Sequence, residues 1–269
     1  MVISRTPLRV SFVGGGSDLV SFSSKHGGAV VSTTIDKYIY VIVTERFEND
    51  IRVSYSKTEI VDSVSELKHE LVREAMRLAG LPRGIEVLTI ADVPARGTGL
   101  GSSSAVAVGV LNALYAYQGI LKSPAELAAE ASYIEIDVLK KPIGKQDQYA
   151  TAFGGLQLLR FGPGDDVDRD PVVLPNAARR EIERNLMLFY TGTQRSAAKV
   201  LTEIDAASAT KMTKRNLEQL RDLAYELFEE LGKGNVDALG ALLHKGWQRK
   251  RELGGVTSAR VDGWYDSAL

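Results

Sequence analysis

The sequence predicts a two-domain α+β protein, and three observations carry that prediction. The first half alternates strand and helix signals; a Gly-, Pro- and Asp-rich stretch at 162–175 interrupts it; beyond that stretch the apolar spacing is almost wholly helical. The expected division is 1–175 for a β-rich N-terminal domain and 176–269 for a C-terminal domain seen mainly as helices.

The elements follow in order. Leu8, Val10 and Phe12 alternate with polar residues, as on a half-buried strand, which runs into the turn Gly14-Gly15-Gly16. The β-branched and aromatic runs 29–35, 38–47 and 51–55 read as three further strands. Residues 66–79 place Leu67, Leu71, Ala75 and Leu78 on one helical face, ended by Gly80 and Pro82, and 84–90 is again a strand. The run 105–117 is small and apolar nearly all round, which predicts a buried helix. Ser123-Pro124-Ala125-Glu126 is a capping box with proline at the first helical position, opening a helix to about Leu139. Strands are expected at 155–161 and 185–192, then helices at 196–207, 211–232 and 236–253 with another starting near Thr257.

Composition narrows the function. Of 269 residues 44% are hydrophobic and 25% charged, and the formal charge of −1 speaks against a general nucleic-acid or membrane-surface binder, which needs a positive field. There is no cysteine, so disulfides, zinc–thiolate sites and thiol nucleophiles are excluded. His26, His69 and His244 are scattered without metal-ligand spacing. No run reaches the roughly 20 apolar residues of a membrane span, and the start lacks a signal-peptide core, so a cytoplasmic protein is expected.

The strongest chemical signal is Pro94-Ala95-Arg96-Gly97-Thr98-Gly99-Leu100-Gly101-Ser102-Ser103-Ser104, between a strand and the buried helix. Glycines let a backbone approach a ligand, and a helix opening near Ser102 aims its free N–H groups at an anion. The same composition also suits an ordinary helix cap. Neither the Walker spacing nor G-x-G-x-x-G is present. A second signal is the strand with Arg9 leading to Gly14-Gly15-Gly16-Ser17-Asp18, where a carboxylate beside glycines suits sugar hydroxyls. On alternation alone Arg9 is a solvated strand arginine and Asp18 a helix N-cap. A third is Ile143-Gly144-Lys145-Gln146-Asp147-Gln148-Tyr149, preceded by Glu135, where a loop aspartate can take a proton, hold a metal, or simply make a turn. Last, Tyr190-Thr191-Gly192-Thr193-Gln194-Arg195-Ser196 puts an arginine at the mouth of a turn.

In this order the segments resemble the GHMP kinase family of small-molecule kinases. P-x-x-x-G-L-G-S-S before a long buried helix is similar to the family's second motif, and RTPLRVSFVGGGSDL and GKQDQYATAFGGL are similar to its heptose 7-phosphate kinase branch. The resemblance implies an N-terminal domain like domain 2 of ribosomal protein S5, a ferredoxin-like C-terminal domain and an active site between them. It implies ATP-dependent phosphorylation of the anomeric hydroxyl of D-glycero-D-manno-heptose 7-phosphate to the 1,7-bisphosphate, for surface polysaccharide. The alternatives are a kinase of the fucose or galactose type and a non-catalytic sensor on the same fold.

The resemblance also implies roles. Asp147 is the expected base, with Arg9 stabilising the transferring phosphoryl group. Gly97, Gly99, Leu100, Gly101, Ser102, Ser103 and Ser104 would cradle ATP, and Ser103 and Glu135 would hold Mg2+, with Asp137 competing for the glutamate's part. Gly14, Gly15, Gly16, Ser17, Asp18 and Arg195 would bind the sugar; Lys145, Arg195 and Arg96 are candidates for its phosphate. The expected partners are a sugar phosphate and ATP, with no nucleic acid or membrane, and the resemblance leaves room for a homodimer. The family's glycine-rich third motif is absent, and the sequence stops inside an apparent helix, so residues beyond Leu269 are expected.

Overall fold

The computed structural model describes residues 1–94, 97–164, 166–192, 200–202, 204, 206, 210–253 and 255–269. Its contacts divide the chain into two compact units that interleave along the sequence. Unit 1 comprises Met1–Val10, Thr34–Lys141 and Asp147–Gly154; unit 2 comprises Ser11–Thr33, Pro142–Gln146 and Gly155–Leu269. This is a different division from a single cut at 175, because the strand and the loop that carry the motifs each belong to both units.

Unit 1 is built on a mixed sheet. β2 (Gly28–Glu45) pairs antiparallel with β5 (Ile85–Ala91) from Ile39↔Ala91 to Glu45↔Ile85. β5 runs parallel to β3 (Ile51–Ser54), which pairs antiparallel with β4 (Thr58–Val61). β1 (Val2–Val13) also pairs with β2. Ile39, Val41, Val43, Val53, Ile85 and Val87 alternate into a core closed by α2 (Glu70–Ala79) and α3 (Ser102–Tyr117). α3 buries Ala105, Ala107, Val110, Leu111, Ala113 and Leu114, and its small side chains let neighbours approach closely: Gly109 leaves room for Thr6 and Ser4 of β1. α4 (Pro124–Ser132) opens with the expected capping box, Ser123 and Glu126 each satisfying the other's backbone N–H. It runs into a π-helical turn at Tyr133–Val138.

In unit 2 the first residues of β2 pair antiparallel with β6 (Leu156–Phe161), from Gly28↔Phe161 to Thr33↔Leu156, and β6 pairs with β7 (Val167–Pro171). α1 (Val20–His26) packs on a long helix, α7 (Lys211–Gly232), where Leu19, Phe22, Ile204, Leu217 and Leu220 form a buried cluster. α8 (Ala238–Glu252) lies against α7, and α6 (Asn176–Asn185) and α9 (Ala259–Ala268) complete the described helices.

Several expectations need correction. Runs 29–35 and 38–47 form one 18-residue strand, because the exposed pair Asp36-Lys37 remains extended. β7 lies inside the stretch read as a boundary loop. Residues 187–191 are not a strand: Met187 and Phe189 are 78% and 76% exposed, and among the described residues no strand pairs with them. A β signal is realised only where a neighbour accepts its backbone. α2 starts at Glu70 rather than 66, capped by the His69 ring. Most of the helix expected at 196–207 lies outside the described residues.

Candidate active site

Within unit 1, β1 delivers Arg9 to the glycine loop and to Asp147. The Arg9 backbone N–H donates to Leu100 O at 3.1 Å, and Nη1 donates to Gly99 O at 2.7 Å. Nε and Nη2 both reach Asp147 Oδ1, at 2.8 and 2.5 Å. Among the described residues nothing donates to Oδ2. Arg9 is thus a buried, paired side chain, 8% exposed, and not the solvated strand arginine that alternation predicts. Its partner Asp147 stands in the first turn of α5 (Gln146–Phe153).

The loop itself is shaped by its glycines. Gly97, Gly99 and Gly101 have φ of 72°, 71° and 75°, in the left-handed region. Gly101 is doubly required, since a Cβ there would lie 3.1 Å from Arg9 Cγ. It is also the N-cap of α3, with no side chain accepting from the first turn, so Ser102, Ser103 and Ser104 open the helix at its positive end. Thr98 and Ser102 hydroxyls lie 3.2 Å apart across the turn.

Behind the loop Glu135 is fully buried. Ser103 Oγ donates to its Oε1 at 2.5 Å, and Ser104 Oγ and Gln148 Nε2 donate to Oε2 at 2.7 and 2.6 Å. Lys141 Nζ sits 2.9 Å from both Oε1 and Ser103 Oγ. The π turn and Lys140, a non-glycine at φ 53°, fold the chain back so that Lys141 N also donates to Glu135 O at 2.9 Å. Asp137 is exposed, so Glu135 rather than Asp137 partners Ser103. Sequence reasoning singled out Ser103 and Glu135 but missed Lys141, whose place in Lys140-Lys141 reads as solvated charge; Gln148 stood in the motif without a role.

Within unit 2 the glycine turn is a second locus. Gly14 and Gly16 adopt φ of 93° and 103°. Ser17 is fully buried, its Oγ 2.8 Å from Gly14 O and accepting from Ala29 N at 3.1 Å, so its hydroxyl shapes the turn from inside. Asp18 is 3% exposed and is not the cap of α1, whose N-cap is Leu19. Its carboxylate accepts from Gly16 N and Gln146 Nε2, each at 2.9 Å, and from Gln146 N at 3.3 Å. Gly144 packs so tightly that a Cβ would sit 2.0 Å from Asp18 Oδ2. Arg96 and Arg195 lie outside the described residues.

Comparison with known proteins finds relatives along most of the chain. Residues 63–155 match the family described as GHMP kinases N terminal domain. Over 95% of its length the chain is 26% identical to D-glycero-alpha-D-manno-heptose 7-phosphate kinase of Campylobacter jejuni, spanning 78% of that protein. It is 27% identical over 96% of its length to L-fucokinase/L-fucose-1-P guanylyltransferase of Bacteroides fragilis, of which it spans 31%. The solved structure of a D-glycero-D-manno-heptose 1-phosphate kinase from Bacteroides thetaiotaomicron superposes with a TM-score of 0.77 at 28% identity, over 94% of this chain and 80% of that one. The mixed α/β architecture is that of the GHMP kinases, and the match to their N-terminal domain lies over residues 63–155.

Proposed function

We propose that this chain is an ATP-dependent sugar kinase that phosphorylates the anomeric hydroxyl of a heptose 7-phosphate. The observation that carries the reading is the pair Arg9–Asp147 tied to a glycine loop at a helix N-terminus. Such a loop offers backbone N–H groups to phosphate oxygens. Arg9, fixed by Gly99 O and Asp147 Oδ1, presents delocalised positive charge to the transferring phosphoryl group. Asp147 orients the sugar hydroxyl and takes its proton as the oxygen attacks the γ-phosphorus. The new C–O–P bond forms as the bond to the β,γ-bridging oxygen breaks, and ADP leaves with that electron pair. Asp18 accepts from sugar hydroxyls, held by Gln146 and Gly16.

The donors around Glu135 suit Mg2+: a carboxylate and a serine hydroxyl are hard oxygen ligands, and a cationic ammonium already lies against both. Ser103 and Glu135 would hold the ion, which when bound neutralises charge on the nucleotide phosphates. Similarity to the heptose 7-phosphate kinase favours a heptose phosphate as acceptor, and similarity to the fucokinase keeps an unphosphorylated sugar as the second reading.

The test is ADP release with ATP and Mg2+ across heptose 7-phosphate, mannose 6-phosphate, fucose and galactose. Turnover confined to the heptose phosphate supports the reading; turnover of fucose alone transfers it to the second. The Asp147→Ala enzyme should lose at least about 1,000-fold in kcat with its fold intact. A rate near wild type would sink the mechanism, and binding without turnover of any sugar would favour a non-catalytic sensor.

A further inference from the structure

In unit 1 the Glu135 carboxylate is saturated with donors. Oε1 takes the Ser103 hydroxyl at 2.5 Å and the Lys141 ammonium at 2.9 Å, and Oε2 takes Ser104 Oγ at 2.7 Å and Gln148 Nε2 at 2.6 Å. A carboxylate offers about four lone-pair sites, so these donors use them all. A metal ion reaches a carboxylate oxygen only through a lone pair, and one donor must then leave. The two on Oε2 are locked in place, Ser104 being 2% exposed and Gln148 fully buried. On Oε1 the serine can turn its proton elsewhere and stay, because a hydroxyl rotates. Lys141 cannot, since an ammonium only donates and repels a second cation. Its Nζ lies 2.9 Å from Ser103 Oγ as well, so it stands on both oxygens that a shared cation would take. Its side chain is 27% exposed, and a long stem gives it a way out to solvent.

We propose that Lys141 is an internal counter-ion that occupies the divalent-cation position on Ser103 and Glu135 and excludes the free ion from it. The inference rests on the sugar-kinase reading and adds an order of binding to it: the ion arrives with the nucleotide, whose phosphates complete its coordination. Among the described residues no group of three acidic or imidazole side chains could hold a metal by itself. One carboxylate and one hydroxyl are therefore the protein's share, and an octahedral ion takes its other ligands from phosphates and water. The backbone keeps Lys141 at hand, because Lys141 N donates to Glu135 O at 2.9 Å and Lys140 turns the chain back at φ 53°. One cation is exchanged for another, so the buried carboxylate is never left without a counter-charge.

The experiment titrates Mn2+, a paramagnetic probe for Mg2+ sites, into the protein without nucleotide or sugar, and follows the free ion by electron paramagnetic resonance. It compares wild type, Lys141→Met, Lys140→Met and the double variant Glu135→Gln/Lys141→Met. Lys141→Met should bind Mn2+ at least about 10-fold more tightly than wild type, since no ammonium has to be expelled. Lys140→Met removes the same charge from an exposed side chain and should stay within about 2-fold of wild type. The double variant should lose the gain, which assigns the ion to Glu135. Should the Met chain not fold, Lys141→Gln, which leaves Glu135 a neutral donor, carries the comparison with a gain of at least about 3-fold. Equal affinities in wild type and the Lys141 variants, undetectable binding in both included, would overturn the proposal. So would an equal gain in Lys140→Met or in the double variant. The titration contains neither ATP nor acceptor, so a wild type that turns over no sugar defeats the kinase reading and leaves this result untouched.

Discussion

Lys141 is the side chain whose removal tests the site's electrostatics most directly. Glu135 is wholly buried, and among the described residues Lys141 is the one cation paired with it. In Lys141→Met the carboxylate keeps Ser103, Ser104 and Gln148 as donors but loses its counter-charge. Breaking a buried pair from one side costs about 3–5 kcal/mol, because the remaining charge is stranded in low dielectric. The Lys141 side chain is 27% exposed, so water screens part of the pair, and three hydrogen bonds survive; about 2–3 kcal/mol is the expected loss. For a chain of this size that lowers Tm by about 4–12 °C. Thermal denaturation followed by circular dichroism, in EDTA and in millimolar MgCl2, reads it. Mg2+ should raise the Tm of Lys141→Met more than that of wild type, since an added cation replaces the missing charge. The double variant Glu135→Gln/Lys141→Met should regain most of the loss, because no charge is left buried. A single variant melting within about 1 °C of wild type, or a double variant no better than the single one, refutes the reasoning.

Three further outcomes follow from the geometry. Gly144→Ala drives a Cβ to 2.0 Å from Asp18 Oδ2 and 2.8 Å from Asp18 O, so sugar KM should rise at least about 10-fold with ATP affinity held within about 2-fold; kinetics with a fluorescent nucleotide titration check it. Gly101→Ala forces a side chain to φ 75° against Arg9, which should cost about 1–2 kcal/mol in urea unfolding and lower kcat. Burial alone would raise the Glu74 carboxyl, but donors from Arg73 and Arg77 hold it below its ordinary value of 4.5. That stabilisation is full above the unfolded value and lost as pH falls through the folded one. Glu74→Gln should therefore be less stable at pH 7 and show a flatter decline of the urea midpoint toward pH 3.5; an unchanged slope would contradict this.

Local chemistry was the most readable part of the fold. The helix expected at 211–232 is found at Lys211–Gly232, and the Ser123 capping box lies where predicted, because both are decided within a few residues. The glycine loop and the buried helix after it were equally plain. What failed depended on distant partners. Pleat alternation told which face of β1 carries Arg9 but not that Asp147, 138 residues later, pairs with it. Asp18 looked like a cap because capping is local, whereas its partner Gln146 lies 128 residues away. Residues 187–191 have every intrinsic mark of a strand and no described neighbour to pair with. Lys141 is invisible in sequence for the same reason: lysine is usually solvated, and only the packed chain shows that this one faces a buried carboxylate.

The π turn at Tyr133–Val138 has a consequence for how this sequence can change. Leu139 N reaches back five residues to Ile134 O at 2.9 Å, so the helix holds one residue more than a regular turn would. A chain shortened by a single residue between 136 and 139 would close an ordinary α-helix and gain backbone regularity. It would also swing Lys140 and Lys141 about 100° around the axis and away from Glu135. The stretch therefore tolerates substitution more readily than deletion. The gain in regularity is set against a Glu135 carboxylate left buried without its counter-charge, so a selection for heat resistance would be expected to keep the extra residue.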